Sequence, residues 1–511
     1  MRKGGPHVSI ALIVGLAGLA LLLSAIVMLE RARSGVGIEA MRIGTIPARI
    51  YRPSGRAGPA VVVAHGFAGS QQLMESFALA LARNGYVAVT FDFAGHARNP
   101  APLAGSITET TGATRTLVEE TRRVLDTARK LGDGRVAVLG HSMASDIVVR
   151  TATEEKDVAA TVAVSMFSPA VTARDPRNLL VVVGGWEGGL TREALRAVGL
   201  ATAPAAAEPG QTYGSFAQGS ARRVAVIPGV EHISVLFAQQ SLDEAVRWLD
   251  GAFAVTRAGD PDVPARGGWL IALLAGIALT AYPLTRLMPL AAVFPTGAGL
   301  PWRRLWVPVL VPMIVTPLVL RFVPTHFLPV LVADYLAVHF FAYGVMTALC
   351  LAWAARGDDA DRQPTDPVAL AAGTFLLVAY CALALVIPLD RYVTSFVPGP
   401  ERWPLVAAMA GGTLVYFLAN EWATRGPGTG RFGYLATKVA FVASLAIAVA
   451  LDFERLFFLV IIVPLIVLSF LVFGLVARWS YRQCGHPVPG AVTSAIAFAW
   501  AIAVTFPLLA A

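Results

Sequence analysis

Ser142 lies in a sequence pattern that is typical of a catalytic nucleophile. Residues 140–144 read Gly-His-Ser-Met-Ala, after an apolar run at 135–139 that predicts a buried strand and before a helical pattern that begins near Met143. Small residues around a serine let the chain turn sharply from strand to helix, and this nucleophile elbow lifts the hydroxyl clear of the sheet. A structural turn needs small residues too, so the surrounding sequence must distinguish the two interpretations.

An acid and a histidine follow two later apolar runs. Glu187 ends a Gly-Gly-Trp-Glu sequence after the run 180–183, and His232 ends a Pro-Gly-Val-Glu-His sequence after the run 223–227. Functional sites of parallel α/β sheets lie at the carboxyl ends of the strands, which is where both residues are predicted to lie. The order along the chain is serine, acid, histidine.

The backbone amides of Phe67 and Met143 are the expected donors of an oxyanion hole. Residues 65–69, His-Gly-Phe-Ala-Gly, directly follow the apolar run 61–63, where a loop can turn an amide toward the cavity beside Ser142. Donors that are already oriented when charge develops contribute about 3 kcal/mol each to transition-state stabilisation. We expect His65 to be a structural turn residue, because this role needs the amide rather than the imidazole.

Short β-branched runs alternate with helical patterns between residues 38 and 253, which predicts a parallel α/β sheet. The predicted strands are 60–64, 87–91, 135–139, 161–166, 179–183 and 224–227. The predicted helices are 71–84, 113–131 and 235–249, with another beginning near Met143.

The order of motifs resembles the α/β-hydrolase superfamily over residues 45–253, with features of dienelactone-hydrolase-like and prolyl-oligopeptidase-like esterases. The resemblance implies a doubly wound, mostly parallel sheet. It also implies a triad in which Ser142 attacks, His232 acts as general base and then acid, and Glu187 orients His232.

Two positions depart from the family pattern. Ala144 stands where a glycine is usual, and Glu187 stands where most relatives have an aspartate. Asp175, after the preceding strand, is the rival acid. Residues 92–96, Asp-Phe-Ala-Gly-His, look like the family's structural turn, and 188–220 is the only obvious lid material.

The composition predicts a membrane protein. The chain of 511 residues is 56% hydrophobic, with a mean hydropathy of +0.63, which is too high for a soluble protein of this size. The net charge of +8 comes from arginines scattered between apolar segments, so we expect no nucleic-acid partner. The three cysteines suggest no disulfide framework, and no metal-ligand spacing or phosphate loop appears, so no metal or cofactor is expected.

The apolar segments predict about nine membrane helices, each near the length of about 20 residues that a span needs. A signal anchor is predicted in residues 1–37, a hydrolase domain in 38–253, a linker in 254–267 and a membrane domain in 268–511. The eight later spans are predicted near 268–290, 304–321, 328–354, 367–389, 403–420, 433–451, 456–477 and 488–510.

The distribution of arginines predicts that the hydrolase domain lies outside the cytoplasmic membrane. Arg2 and Lys3 precede the first span, and basic residues are more numerous in the loops that this orientation places inside. The predicted inside loops carry Arg286, Arg303, Arg304, Arg356, Arg362, Arg425, Arg431, Arg478 and Arg482. The predicted outside loops carry Arg321, Arg391, Arg402 and Arg455.

Three polar residues fall inside predicted spans: Asp334, His339 and Lys438. An unpaired charge in a membrane is costly, so such residues mark a functional site or form a structural pair, for example Asp334 with Lys438. The sequence leaves these two interpretations open.

Together these patterns predict an integral-membrane serine hydrolase that cleaves esters or thioesters. A hydrophobic or membrane-resident substrate is expected, because tethering needs only one span and the remaining helices are then free to form part of the substrate site. Two alternatives stay open: a transporter or lipid-handling protein with a catalytically silent hydrolase domain, and a peptidase. The sequence does not indicate an oligomeric state.

Overall fold

The computed structural model describes residues 6–106, 110–354 and 364–510. Four basic residues used in the topology argument lie outside the described residues: Arg2, Lys3, Arg356 and Arg362. The prediction of the orientation in the membrane therefore rests on them as sequence features only.

The chain forms two compact units, each assembled from segments that are distant in the sequence. The sheet unit consists of residues 24–273, 389–395 and 507–510. The helical unit consists of the described residues in 6–23, 274–388 and 396–506. The sheet unit therefore includes two short segments that are distant in sequence from its main part.

The sheet unit is built on one nine-stranded sheet with the strand order β1-β2-β4-β3-β5-β6-β7-β9-β8. Helix α1, Pro6–Arg33, leads into it. The strands are β1 (Gly37–Ile43), β2 (Ile46–Arg52), β3 (Ala60–Ala64), β4 (Val87–Phe91), β5 (Val136–His141), β6 (Val158–Val164), β7 (Leu179–Gly184), β8 (Thr212–Tyr213) and β9 (Arg222–Ile227). The helices are α2 (Glu75–Arg83), α3 (Ala113–Leu131), α4 (Met143–Glu154), α5 (Gly188–Thr202) and α6 (Gln239–Phe253).

Both faces of the sheet are covered by helices. Strands β3, β4, β5, β6, β7 and β9 pair in parallel, whereas β1, β2 and β8 join antiparallel at the edges. Val61 and Val63 of β3 pack with Phe77 of α2, and Val62 packs on the opposite face with Leu125 of α3. Continuous apolar runs suit such strands, because each strand is buried on both faces.

All six strands predicted from sequence are present, as β3 to β7 and β9. The three antiparallel strands, β1, β2 and β8, were not predicted. The prediction that 188–220 is lid material is wrong for its first half, because α5 packs Ala194, Ala197 and Val198 against the sheet. Their spacing places these three residues on one face of a helix.

Nine helices among the described residues are long and apolar enough to cross a membrane, and α1 is the first of them. The eight others correspond to the eight later spans predicted from sequence. They are α7 (Gly267–Thr285), α8 (Trp302–Leu320), α9 (Ala333–Ala354), α10 (Pro367–Cys381) continued by α11 (Ile387–Tyr392), α12 (Trp403–Ala423), α13 (Gly433–Leu451), α15 (Phe458–Cys484) and α16 (Val488–Thr505), with the short α14 (Phe453–Leu456) before α15.

Aromatic side chains form the interior of the helical unit. Phe340 and Phe441 stack with ring centroids 4.7 Å apart, and Phe470 stacks on Phe498 at 5.1 Å. Tyr416 contacts three of these four rings. Many other apolar side chains of these helices are exposed on their outer faces, as expected of helices that are solvated by lipid.

Candidate active site

Ser142 occupies a sharp turn between β5 and α4. Its φ of 54° and ψ of −118° are strained for a residue with a side chain, and such strain is typical of a nucleophile elbow. Position 140 must be a glycine, because a Cβ there would lie 2.4 Å from the carbonyl oxygen of Ala144. Ala144, the departure from the family pattern, is fully buried against the sheet.

Three polar side chains meet at the carboxyl edge of the sheet. The Ser142 Oγ lies 2.8 Å from the His232 Nε2, and the His232 Nδ1 lies 2.6 Å from the Glu187 Oε1. They are supplied by the chain segments that follow β5, β9 and β7. Because the carboxylate accepts the Nδ1 hydrogen, Nε2 is free to accept the serine proton, which is the tautomer that a general base needs.

The loop after β3 approaches the serine closely. A Cβ on Gly66 would lie 3.0 Å from the Cβ of Ser142, which is a tight contact that glycine avoids. The buried His65 imidazole donates from Nδ1 to the Gly66 carbonyl over 2.8 Å and accepts the Phe93 N–H at Nε2 over 3.1 Å. Burial lowers the pKa of His65, so it remains neutral and holds the loop, which fits the structural role expected for it. Phe67 is the next residue of this loop.

The Glu187 carboxylate is held by two further hydrogen bonds. The Ser165 hydroxyl and the Gly184 N–H each donate to Oε2 over 2.8 Å. Burial raises the pKa of this carboxyl group, but the hydrogen bonds from His232, Ser165 and Gly184 outweigh that effect and hold its pKa below the ordinary value. The group is therefore ionised at neutral pH. Sequence reasoning missed Ser165, although its place directly after β6 could have identified it.

Asp175, the rival acid, is not brought to His232. Its carboxylate pairs with the Lys156 ammonium group over 3.0 Å. The longer glutamate side chain reaches the histidine from the loop after β7, so of these two carboxylates Glu187 is the one within hydrogen-bond distance of His232.

The fold of this part of the chain follows from the sheet and from one comparison. Residues 55–199 match the family model described as serine aminopeptidase, S33. The strand order, with the elbow after β5, agrees with that match. The sheet unit has the α/β-hydrolase fold, and we call its part that carries the sheet the hydrolase domain.

Solved structures similar to this chain include three proteins. Dienelactone hydrolase from Anabaena variabilis is 17% identical with a TM-score of 0.30, and the match covers 42% of this chain and 97% of that one. A hypothetical protein from Pseudomonas aeruginosa is 14% identical with a TM-score of 0.32, covering 42% and 94%. An epoxide hydrolase mutant from Vigna radiata is 25% identical with a TM-score of 0.22, covering 28% and 41%. No curated protein matches the chain.

His141 of the hydrolase domain was not recognised from sequence. Its Nε2 donates to the His232 carbonyl oxygen over 2.9 Å, and the two rings lie 4.8 Å apart. Burial, together with the neighbouring His232, lowers the pKa of His141 to about 3, so it is neutral at any physiological pH. His141 can therefore hold the backbone of His232 without competing as a base.

Three large apolar side chains are exposed in the loops after β6, β7 and β9 of the hydrolase domain. Trp186 precedes Glu187 and is 72% exposed, Phe167 follows β6 and is 64% exposed, and Ile233 follows His232 and is 46% exposed. We call these three side chains the apolar rim. Large apolar groups grouped around a polar site mark a surface that binds apolar ligands or lipid.

In the helical unit, the alternative pairing of Asp334 with Lys438 is wrong. The Asp334 carboxylate caps α9 by accepting the N–H of Tyr335 over 2.8 Å and that of Phe327 over 3.2 Å. The Lys438 ammonium group instead donates to the Asn420 side-chain oxygen over 2.7 Å. Asp334 and Lys438 therefore have different hydrogen-bond partners and do not pair with each other.

Aromatic rings surround the buried Lys438. Its Nζ lies 4.7 to 4.9 Å from the ring centroids of Tyr416, Phe417, Tyr434 and Phe470. Such cation–π contacts offset part of the cost of burying the charge.

His339 is also buried in the helical unit, between two hydroxyl groups. The Tyr335 OH lies 3.3 Å from its Nδ1 and the Ser444 Oγ lies 3.2 Å from its Nε2. These contacts satisfy both ring nitrogens within the bundle.

Proposed function

We propose that this protein is a membrane-integrated serine hydrolase that cleaves ester or thioester bonds of hydrophobic or membrane-associated substrates. The observation that carries the proposal is the pair of hydrogen bonds from Ser142 through His232 to Glu187 at the elbow. A serine hydroxyl becomes nucleophilic only when a base is placed to remove its proton, and this arrangement places one. The nine membrane-capable helices among the described residues support the proposal that the protein is integrated in a membrane.

In the proposed reaction, the Ser142 Oγ forms a bond to the substrate carbonyl carbon while its proton moves to the His232 Nε2. The carbonyl oxygen gains negative charge, which the Phe67 and Met143 amides stabilise. The bond to the alcohol or thiol then breaks, and His232 returns the proton to that leaving group. A water molecule then bonds to the acyl carbon while its proton moves to the His232 Nε2, and the bond to the Ser142 Oγ breaks as His232 returns that proton to Oγ, which releases the acid. Glu187 keeps His232 in the required tautomer and stabilises its protonated form.

The apolar rim supports the proposal of a hydrophobic substrate. Trp186, Phe167 and Ile233 are exposed in loops at the carboxyl edge of the sheet, and we propose that the acyl chain of a bound substrate covers them. Covering a large apolar side chain contributes about 1.5 to 3 kcal/mol, which is a sufficient gain to select long acyl chains. The substrate is proposed to be a membrane lipid or another long-chain ester.

The test of the proposed function is covalent labelling with a fluorophosphonate. We expect the probe to label the purified full-length protein at Ser142 alone, with no label on Ser142→Ala. We also propose that the hydrolase domain lies outside the cytoplasmic membrane, so a membrane-impermeant probe should label Ser142 on intact cells. A folded wild-type protein that stays unlabelled would contradict the enzyme, and label only after permeabilisation would contradict the orientation.

The apolar rim makes a prediction about acyl-chain preference. Trp186→Ala should lower kcat/KM for a dodecanoyl ester about tenfold more than for a butanoyl ester, since the proposal assigns the indole to the distal part of a long acyl chain. The measurement is a comparison of nitrophenyl esters in detergent. Leu200→Ala is the control, because Leu200 is also exposed on the hydrolase domain, on α5, without being part of the rim. Equal losses on both esters would contradict the assignment of the rim to the acyl chain.

Two other functions remain as outcomes of these tests. A lipid-handling protein with a silent hydrolase domain would bind long-chain lipids without being labelled. A peptidase is favoured by the description of the matching family model, serine aminopeptidase, and would cleave aminoacyl amides faster than esters of equal length. Parallel assays on the two substrate types distinguish these functions from the esterase.

A further inference from the structure

The segment 389–395 is part of the sheet unit, although it begins within the last turn of one membrane-capable helix and precedes the next in sequence. Its Thr394 hydroxyl lies 3.0 Å from the Ser70 hydroxyl, which is 324 residues away in sequence. The Ser395 N–H donates to the same Ser70 Oγ over 3.1 Å, and the Ser395 hydroxyl donates to the Gln72 side-chain oxygen over 3.0 Å. We call Ser70, Gln72, Thr394 and Ser395 the clamp.

Three of the four clamp residues are buried, and Thr394 is partly buried. Ser70 is 0% exposed, Gln72 is 1% exposed and Ser395 is 5% exposed. A buried hydroxyl group that loses its partner costs about 1 to 3 kcal/mol, so these contacts strongly favour one position of the loop.

The segment that carries Thr394 is itself fixed at Tyr392. The fully buried Arg266 donates to the Tyr392 carbonyl oxygen over 3.2 Å, and the Tyr392 hydroxyl donates to the Glu30 carboxylate over 2.7 Å. Arg391 also pairs with Glu30 over 2.6 Å. Ser70 therefore contacts a segment that cannot move freely.

Ser70 is the residue that follows the loop beside the nucleophile. That loop, 65–69, is held at its start by His65 and closes on itself through a hydrogen bond from the Gly69 N–H to the Gly66 carbonyl oxygen over 3.1 Å. At its end, the Gln71 N–H donates to the buried Asp92 over 2.8 Å. Between these two anchors, the Leu73 N–H donates to the Ser70 carbonyl oxygen over 3.1 Å, and the clamp holds the Ser70 hydroxyl.

We propose that Thr394 and Ser395 are positioning residues for the oxyanion loop of the hydrolase domain. This inference rests on the proposed function, because an oxyanion loop matters only if Ser142 attacks a carbonyl group. Transition-state stabilisation by an amide requires the donor to be oriented in advance, and a misplacement of about 1 Å can cost 100-fold in rate. Loss of a clamp hydroxyl should therefore slow acylation without weakening ground-state binding.

The test uses the full-length protein in detergent. It measures the rate of labelling by a fluorophosphonate and the rate of acylation by a nitrophenyl ester. Thr394→Val and Ser395→Ala should each lower kcat about 10-fold to 100-fold, with KM changed less than about twofold. Thr394→Ser, which keeps the hydroxyl, should retain most of the wild-type rate. Thr374→Val is the control, because the Thr374 hydroxyl bonds only the Leu370 carbonyl oxygen of its own helix at 2.8 Å.

A double-variant cycle separates positioning from general destabilisation. If Thr394 acts through Ser70, Thr394→Val should slow acylation less than twofold further when Ser70→Ala is already present. Size-exclusion chromatography and thermal unfolding check that each variant folds. If Thr394→Val does not fold, the cycle is repeated with Ser395→Ala and Gln72→Ala, and Ser395→Ala should then slow acylation less than twofold further when Gln72→Ala is already present.

Two negative results have different meanings. A wild-type protein that is not labelled contradicts the proposed function. A labelled wild type whose acylation rate is unchanged in the clamp variants, or is reduced additively in the double variant, overturns the clamp alone.

Discussion

Ser142→Ala and His232→Ala are each expected to lower ester hydrolysis by about 10⁴-fold to 10⁶-fold, because one removes the nucleophile and the other removes its base. The measurement is kcat/KM for a nitrophenyl ester with purified full-length protein. Ser54→Ala is the matched control, since Ser54 is an exposed loop serine of the hydrolase domain.

The double variant sharpens this prediction. Residues that act as a unit are not additive, so Ser142→Ala combined with His232→Ala should be no slower than Ser142→Ala alone. A loss of less than about tenfold in either single variant would mean that another residue performs the chemistry.

Glu187→Gln is expected to lower kcat by about 10²-fold to 10⁴-fold, which is a smaller decrease than the one expected for Ser142→Ala. The amide no longer stabilises the protonated His232 and can hold the wrong tautomer, whereas Ser142 remains in place. Asp175→Asn is the matched control, because Asp175 pairs with Lys156 rather than with the histidine. A larger loss in Asp175→Asn than in Glu187→Gln would reverse the assignment of the acid.

The direction of the Glu187 pKa shift adds a test by pH. Its pKa lies below the ordinary value in the folded protein, so ionisation of this group stabilises the fold above the ordinary glutamate range. That contribution is lost as the pH falls through the lowered pKa. The Tm of the wild type should therefore fall more steeply on acidification than the Tm of Glu187→Gln.

The sequence alone was sufficient to predict the strands of the parallel sheet. Strands such as β3 and β7 are continuous β-branched runs because they are buried on both faces, and this pattern is local. The order of serine, acid and histidine was also visible, because each follows its strand directly. The membrane-capable helices were predicted for a similar reason, since about 20 consecutive apolar residues are needed to cross a bilayer.

Only the tertiary structure shows which of the two carboxylates lies beside His232. Glu187 and Asp175 both follow strands in the sequence, but the distance from each carboxylate to His232 depends on how two loops fold over the sheet edge. The partners of Lys438 were undetermined for the same reason, because the packing of the helices places Asn420 beside it rather than Asp334.

The supporting contacts of the site were also decided only in three dimensions. His141 and Ser165 have ordinary positions in the sequence, and their roles come from hydrogen bonds to His232 and Glu187 across the sheet edge. The contact of Thr394 with Ser70 joins segments 324 residues apart. Hydropathy patterns report burial within one element, whereas hydrogen bonds between distant segments depend on the geometry of the folded chain, which no local pattern encodes.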